Sequence, residues 1–142
     1  LNSLLVLIKQ ELSNEWDVTT SMIDLIRPNM QTIQDAKNLI KPFFVFDIDS
    51  IVLDSSLIID SEIVPLLKNL KEEIKNISSF NDTDFKDIAI SLNHTGNNNI
   101  WKPLRYAITG LLQGSDLNKF VNILGPQELY NRLQQLESHK II

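Results

Sequence analysis

Charged side chains of two kinds stand where they could do chemistry. Asp47 and Asp49 follow an apolar run at D-x-D spacing in the stretch FFVFDIDSIVLDS. Two carboxylates so placed can hold Mg²⁺ when further oxygen ligands join them. Arg105 lies in WKPLRYAITGLLQGSDL, ahead of a glycine-containing loop and a predicted helix start at Ser115. An arginine near the exposed N–H groups of a helix N-terminus suits recognition of a phosphate or of unpaired base edges.

The aspartate pair resembles the nucleophile strand of haloacid-dehalogenase-like phosphatases, in which one Asp attacks phosphate and the other acts as acid and base. Such an enzyme needs a parallel sheet whose first buried strand ends at the catalytic Asp. No strand-helix alternation follows here, and Ser50-Ile51 replaces the usual Gly-Thr. We therefore expect Asp47 and Asp49 to lie in an acidic turn that follows the end of a helix.

Composition restricts the class of protein. The 142 residues suffice for one domain, or two small ones, with a packed core. The absence of cysteine excludes disulfides, thiol catalysis and Cys-ligated metals. No apolar run approaches the roughly 20 residues that span a membrane, and the start lacks signal-peptide features. We therefore expect an intracellular, soluble chain.

Charge is distributed unevenly along the chain, whose formal net charge is −5. Residues 1–94 hold 8 basic and 15 acidic side chains, whereas residues 95–142 hold 5 basic and 3 acidic ones. The overall charge argues against a generally basic nucleic-acid binder. An anionic partner, if one binds, is expected at the last third of the chain.

The apolar periodicity is helical nearly everywhere. It predicts an all-α bundle of about eight short helices, in two small helical subdomains at residues 1–77 and 78–142. Only residues 43–45 and 50–59 could be strands. The sequence also predicts where helices begin and end. Thr32 and Ser115 are expected N-caps, and Gly110 is an expected C-cap. The helix that begins after Thr32 is expected to end before Pro42.

A specific resemblance rests on three strings kept in order and spacing. They are PLRYAITG at 103–110, ILG at 123–125 and RL at 132–133. This pattern resembles the C-terminal anticodon-binding domain of bacterial-type, class I glutamyl-tRNA synthetases. A looser similarity covers residues 25–46. It implies that the aromatic residues Phe43, Phe44 and Phe46 are core anchors, and that Asp47 and Asp49 are solvated charges in an acidic connector.

The resemblance implies an all-α region that binds the anticodon of a glutamate-specific tRNA. Arg105 would hydrogen-bond a pyrimidine edge or clamp a phosphate. The backbone at Gly114 and Ser115 would approach a splayed base, and Leu117 would give that base an apolar contact. Many family members have Pro where Ser115 stands. The remaining predicted RNA-binding residues are Lys102, Asn29, which stands where many members have Arg, and Arg27, which could substitute for that Arg.

The chain lacks the HIGH-like and KMSKS-like signatures with which class I synthetases bind ATP. We therefore expect no catalytic residue, metal site or cofactor in this chain. ATP and Mg²⁺ would belong to an upstream catalytic domain of a monomeric glutamate–tRNA ligase, cytoplasmic in a bacterium or found in an organelle. Whether the glutamine tRNA is also bound stays open. A helical protein-interaction module without RNA binding is the alternative, and the phosphatase is the third.

Overall fold

The computed structural model describes residues 2–12, 16–94 and 99–142, and these residues form nine α-helices, one 3-10 turn and no strand. The all-α prediction is confirmed, whereas both segments that could have been strands lie mainly in helices. The elements in chain order are α1 (Asn2–Glu11), α2 (Thr20–Ile26), the 3-10 turn (Arg27–Asn29), α3 (Ile33–Phe44), α4 (Ile48–Ile58), α5 (Ile63–Ile74), α6 (Asp84–Leu92), α7 (Trp101–Thr109), α8 (Leu117–Leu124) and α9 (Pro126–Ser138).

Helix α3 begins as the sequence predicts, with Thr32 as its N-cap. The Thr32 hydroxyl oxygen accepts a hydrogen bond from the Asp35 backbone N–H at 3.2 Å. The Asp35 carboxylate accepts bonds from the backbone N–H groups of Thr32, at 3.0 Å, and Gln31, at 2.8 Å. This capping box satisfies N–H groups that a helix start otherwise leaves without partners. The backbone donors hold the pKa of Asp35 below its ordinary value.

The predicted end of α3 before Pro42 is wrong, because the helix continues through Pro42 to Phe44. Proline has no N–H to donate to the carbonyl of Asn38, four residues earlier, yet its ring fits a helix where packing compensates. That compensation comes from Phe43, which is buried and stacks on Phe120 with ring centroids 4.2 Å apart. Tertiary packing therefore extends the helix past a residue that ordinarily ends one.

The predicted acidic connector is also wrong, because residues 48–58 form α4. Asp47 is the N-cap of this helix. Its carboxylate accepts bonds from the Ser50 backbone N–H, at 3.3 Å, and from the Ser50 hydroxyl, at 2.8 Å. Among the α4 side chains that the structure describes, Ile51 is fully buried, while Leu53 is 82% exposed. The apolar residues of α4 thus lack the one-sided pattern that would have identified the helix.

The helices pack around one cluster of buried side chains. Helix α5 packs on α6 and α9, α1 and α2 pack on α3, and α4 and α9 pack on α7. Contacts therefore cross residue 77, as in the 2.7 Å ion pair between Lys71 and Glu137. The division into subdomains 1–77 and 78–142 stays a prediction. None of the helices in the described part of the chain has the length and apolarity to cross a bilayer.

Candidate nucleic-acid interface

Helix α7 presents Arg105 and ends in a tightly fixed turn. Leu104, Ala107 and Ile108 are fully buried and orient the helix, which leaves Arg105 half-buried. The Thr109 hydroxyl donates to the Arg105 carbonyl at 2.7 Å and accepts from the Leu111 N–H at 3.0 Å. Gly110 follows with φ of +77°, a left-handed conformation that glycine adopts without a steric penalty. The predicted C-cap at Gly110 is thus confirmed.

The next helix is capped one residue later than predicted. Asp116, not Ser115, is the N-cap of α8, and its carboxylate accepts a bond from the Lys119 backbone N–H at 3.0 Å. A carboxylate accepts such a bond strongly and suits the positive end of a helix. Ser115 is instead buried, with 5% of its surface exposed. It contributes to the wall of a cleft rather than to a cap.

That cleft, with a volume of about 380 Å³, lies between the end of α7, α3 and the loop before α8. Arg105 and Thr109 contribute from α7, and Pro42 contributes from α3. Apolar and polar groups therefore meet in one concave site, as they do in most ligand sites. The other lining residues are Asn29, Asn38, Leu39, Leu111, Gln113, Gly114, Ser115 and Phe120.

The Arg105 guanidinium is the positive group of this cleft. Within residues 2–12, 16–94 and 99–142, no hydrogen bond or ion pair engages that guanidinium. Burial lowers the pKa of Arg105, and the negative charge of Asp116 raises it again. An arginine stays protonated under such shifts. The cleft thus holds a partly desolvated cation whose donors are available to a ligand.

Gly114 lies close to the guanidinium. A Cβ at this position would stand 3.0 Å from Nη1 of Arg105, which is tighter than an ordinary contact. The absence of a side chain therefore lets the backbone of the loop and the arginine share one end of the cleft. It also leaves the Gly114 peptide open to close approach by a flat ligand.

Four of the predicted RNA-binding residues line the same cleft: Asn29, Arg105, Gly114 and Ser115. Leu117 does not, because its side chain is packed in the core with 6% exposed. Lys102 and Arg27 are exposed and stand outside the cleft lining as the structure describes it. Their contacts with RNA stay predictions.

Other lining residues were not singled out from the sequence. Thr109 could have been, because it lies one helical turn after Arg105 and inside the same PLRYAITG string. Asn38 and Pro42 had no such signal, since they reach the cleft only through the packing of α3 and its unexpected continuation.

The Arg-Leu string at 132–133 has a structural role behind the cleft. Arg132 is 1% exposed and is the largest fully buried side chain among the described residues. Its Nη1 donates to the Ile108 carbonyl at 2.9 Å, and its Nη2 donates to the Pro42 carbonyl at 2.7 Å. Its Nε faces a Glu128 carboxylate oxygen at 3.4 Å. Burial lowers the pKa of Arg132, and Glu128 opposes that shift.

A second cleft of about 560 Å³ adjoins the first, and Asn29 lines both. It lies between α2 and α8, with Asp24 and Lys119 among its charged residues. In the described part of the chain, no three His, Asp or Glu side chains are arranged to hold a metal ion.

Two comparisons with known proteins show what this chain is similar to. Residues 3–136 match the model of the family described as "Anticodon binding domain". The chain is also similar to the glutamate–tRNA ligase of Natranaerobius thermophilus, with 24% identity over 140 residues, which is 92% of this chain. It spans 28% of the length of that relative. Because the family model matches nearly the whole sequence, the chain belongs to the anticodon-binding domain family.

Proposed function

We propose that this chain recognises the anticodon of a tRNA as one part of a glutamate–tRNA ligase. The observation that carries the proposal is the cleft in which Arg105, with its unengaged donors, meets the backbone at Gly114 and Ser115. Unstacked anticodon bases expose hydrogen-bonding edges that a duplex hides. A partly desolvated guanidinium beside an open peptide is suited to such edges and to the phosphates next to them.

In this proposal Arg105 donates to the acceptor edge of a pyrimidine or clamps a neighbouring phosphate. Leu117 is too deeply buried to touch a base without a change in packing. The apolar contact would therefore come from Leu111, which is 44% exposed and lines the cleft. The adjoining cleft beyond Asn29 offers room for a second base.

The rest of the enzymatic activity is assigned to other parts of the protein. The proposal places ATP binding, Mg²⁺ and glutamate activation in a catalytic domain of the same polypeptide, and no catalytic residue in the chain described above. It further holds that the ligase is a cytoplasmic monomer whose tRNA is specific for glutamate. The family match favours RNA recognition over the helical protein-interaction module. The phosphatase needs a parallel sheet, and the described residues contain no strand.

Binding to an RNA stem-loop tests the proposal. The wild-type chain should bind a 17-nucleotide stem-loop with a glutamate anticodon more tightly than one with a scrambled loop, and salt should weaken this binding steeply. Arg105→Ala should weaken binding to the cognate loop by about 1–3 kcal/mol. Isothermal titration calorimetry at several salt concentrations gives both quantities.

The matched control is Lys75→Ala, which removes one positive charge from an exposed position at the end of α5. It should change affinity by no more than the general loss of one charge. Equal affinities for the cognate and scrambled loops would contradict anticodon recognition. An Arg105→Ala chain that binds and discriminates like the wild type would contradict the contact.

A further inference from the structure

The two walls of the Arg105 cleft are supported by different parts of the bundle. Helix α3, with Asn38 and Pro42, packs against α1 and α2. Helix α7, with Arg105 and Thr109, packs against α4 and α9. The width of the cleft therefore depends on whatever fixes α3 relative to α7.

Arg132 joins these two helices directly. Its Nη2 donates to carbonyls of the last turn of α3, at 2.7 Å to Pro42 and 3.3 Å to Phe43. Its Nη1 donates to Ile108, in the last turn of α7. These carbonyls have no partner within their own helices, and they form the negative ends of two helix dipoles. The buried Arg132 guanidinium thus donates hydrogen bonds to the unpaired carbonyls of both helices, and its charge opposes the negative ends of both helix dipoles.

Because the guanidinium of Arg132 is planar, its hydrogen bonds to α3 and α7 have a fixed geometry. Its N–H groups point in set directions within one plane, so bonds to both helices hold the carbonyls of Pro42 and Ile108 at a defined separation. The side chain of Arg132 also stacks over the Phe46 ring, with 5.2 Å from Cζ to the ring centroid, just beyond the end of α3. Pro42 lines the cleft, and so does Thr109, which directly follows Ile108.

We propose that Arg132 is a positioning residue for RNA recognition, which fixes the separation of the α3 and α7 walls and thereby the reach of Arg105 to its ligand. The proposal rests on the proposed anticodon function. Arg132 is fully buried and touches no RNA, so its effect must pass through the cleft walls. A residue that only stabilised the fold would leave the folded protein's affinity and base preference unchanged.

A double-mutant cycle on binding separates these two roles. Arg132→Lys keeps the charge but loses the fork that reaches both helices. Affinities of the wild type, Arg132→Lys, Arg105→Ala and the double variant are measured for the cognate and scrambled stem-loops. All measurements are made well below each variant's unfolding midpoint, with circular dichroism confirming that each chain is folded.

The expected result is that Arg132→Lys weakens binding to the cognate stem-loop by about tenfold. The ratio of its affinities for the cognate and scrambled stem-loops should also fall. The double variant should bind about as weakly as Arg105→Ala alone, because both changes remove the same contact. If Arg132→Lys does not yield enough folded protein, Arg132→Gln, which keeps side-chain donors without the charge, takes its place in the cycle.

Lys71→Met is the matched control. Lys71 is also a buried cation, but it pairs with Glu137 between α5 and α9, away from the cleft. Its loss should lower stability and leave the loop preference intact. Additive effects of the Arg132 and Arg105 changes, or an unchanged preference in the Arg132 variant, would overturn the inference alone. Failure of the wild-type chain to prefer the cognate loop would overturn the proposed function, and this inference with it.

Discussion

Arg105 and Arg132 belong to the same motif-bearing third of the chain, yet their surroundings differ in kind. Burial lowers the pKa of both guanidinium groups. Arg132 donates to carbonyls of two helices and to Glu128. Arg105 is half-buried and lines an open cleft, and no described residue makes a hydrogen bond or ion pair with its guanidinium. Desolvation of a cation is costly unless partners compensate for it.

The two arginines differ in which groups compensate for the desolvation of the guanidinium. For Arg132 the compensating groups belong to the folded chain, so replacing Arg132 should lower the free energy of unfolding. For Arg105 the compensation that the described residues provide is the charge of Asp116, so the guanidinium donors are available to an external acceptor. A sequence pattern marks both arginines equally, and only the hydrogen-bond partners separate the structural one from the candidate contact.

The largest expected effect is on stability at Arg132. Arg132→Met removes a fully buried cation and leaves the helix-end carbonyls of Pro42 and Ile108 without donors, so the free energy of unfolding should fall by about 3–5 kcal/mol. Urea unfolding followed by circular dichroism measures this loss. The same experiment on Arg105→Ala should give a loss below about 1 kcal/mol. Equal losses at the two positions would remove the contrast between them.

A smaller effect is expected from two glycines. Gly114→Ala places a Cβ 3.0 Å from Nη1 of Arg105. The guanidinium must move, so RNA affinity should fall by about 1 kcal/mol while stability stays within about 0.5 kcal/mol. Gly125→Ala meets no neighbouring atom but has a φ of +91°. It should therefore cost about 1–2 kcal/mol of stability and leave the folded chain's affinity unchanged.

Calorimetric titration and thermal unfolding of both glycine variants provide the measurements. The opposite pattern, with a destabilised Gly114→Ala chain of normal affinity, would show that the loop does not position Arg105.

The smallest expected effect concerns the aspartates that first suggested catalysis. Asp47→Ala should lower Tm by roughly 2–5 °C at neutral pH because α4 loses its cap, and Asp49→Ala should change Tm less. The bonds from Ser50 lower the pKa of Asp47 below 3.8 in the folded chain. Its contribution is thus present above pH 3.8 and lost as pH falls through the lower folded value. The Tm difference from wild type should therefore shrink as the pH falls below the ordinary pKa of an aspartate, about 3.9.

Scanning calorimetry across that range checks the pH dependence. A difference that persists at the acid end would mean that the ionised carboxylate is not what stabilises the start of α4.

Much of this architecture can be predicted from the sequence because its signals are local. Thr32 and Gly110 each fix a helix end through their own chemistry, and the structure confirms both positions. Residues 103–110 also identify the part of the chain that carries the cleft. Local propensity is sufficient wherever neighbours along the chain decide the outcome.

The errors have non-local causes. Helix α3 passes through Pro42 because Phe43 packs on Phe120 and Arg132 binds the carbonyls of the last turn. Helix α4 has little one-sided apolar pattern, since Ile51 is fully buried whereas its neighbours Val52 and Leu53 are exposed. The burial of Leu117, which faces the core at the first position of α8, likewise depends on how α8 is rotated. Such outcomes require the tertiary structure.

The composition of the cleft has a consequence for folding. Its walls come from residues 29–42 and 105–120, which are separated by more than sixty residues of chain. Loops that long close late, because the entropy cost of closure must be met before the contacts form. Individual helices and hairpins can therefore exist before any binding site does. A partly folded or proteolytically nicked chain should lose RNA binding before it loses most of its helical signal, which makes binding a sensitive measure of complete folding.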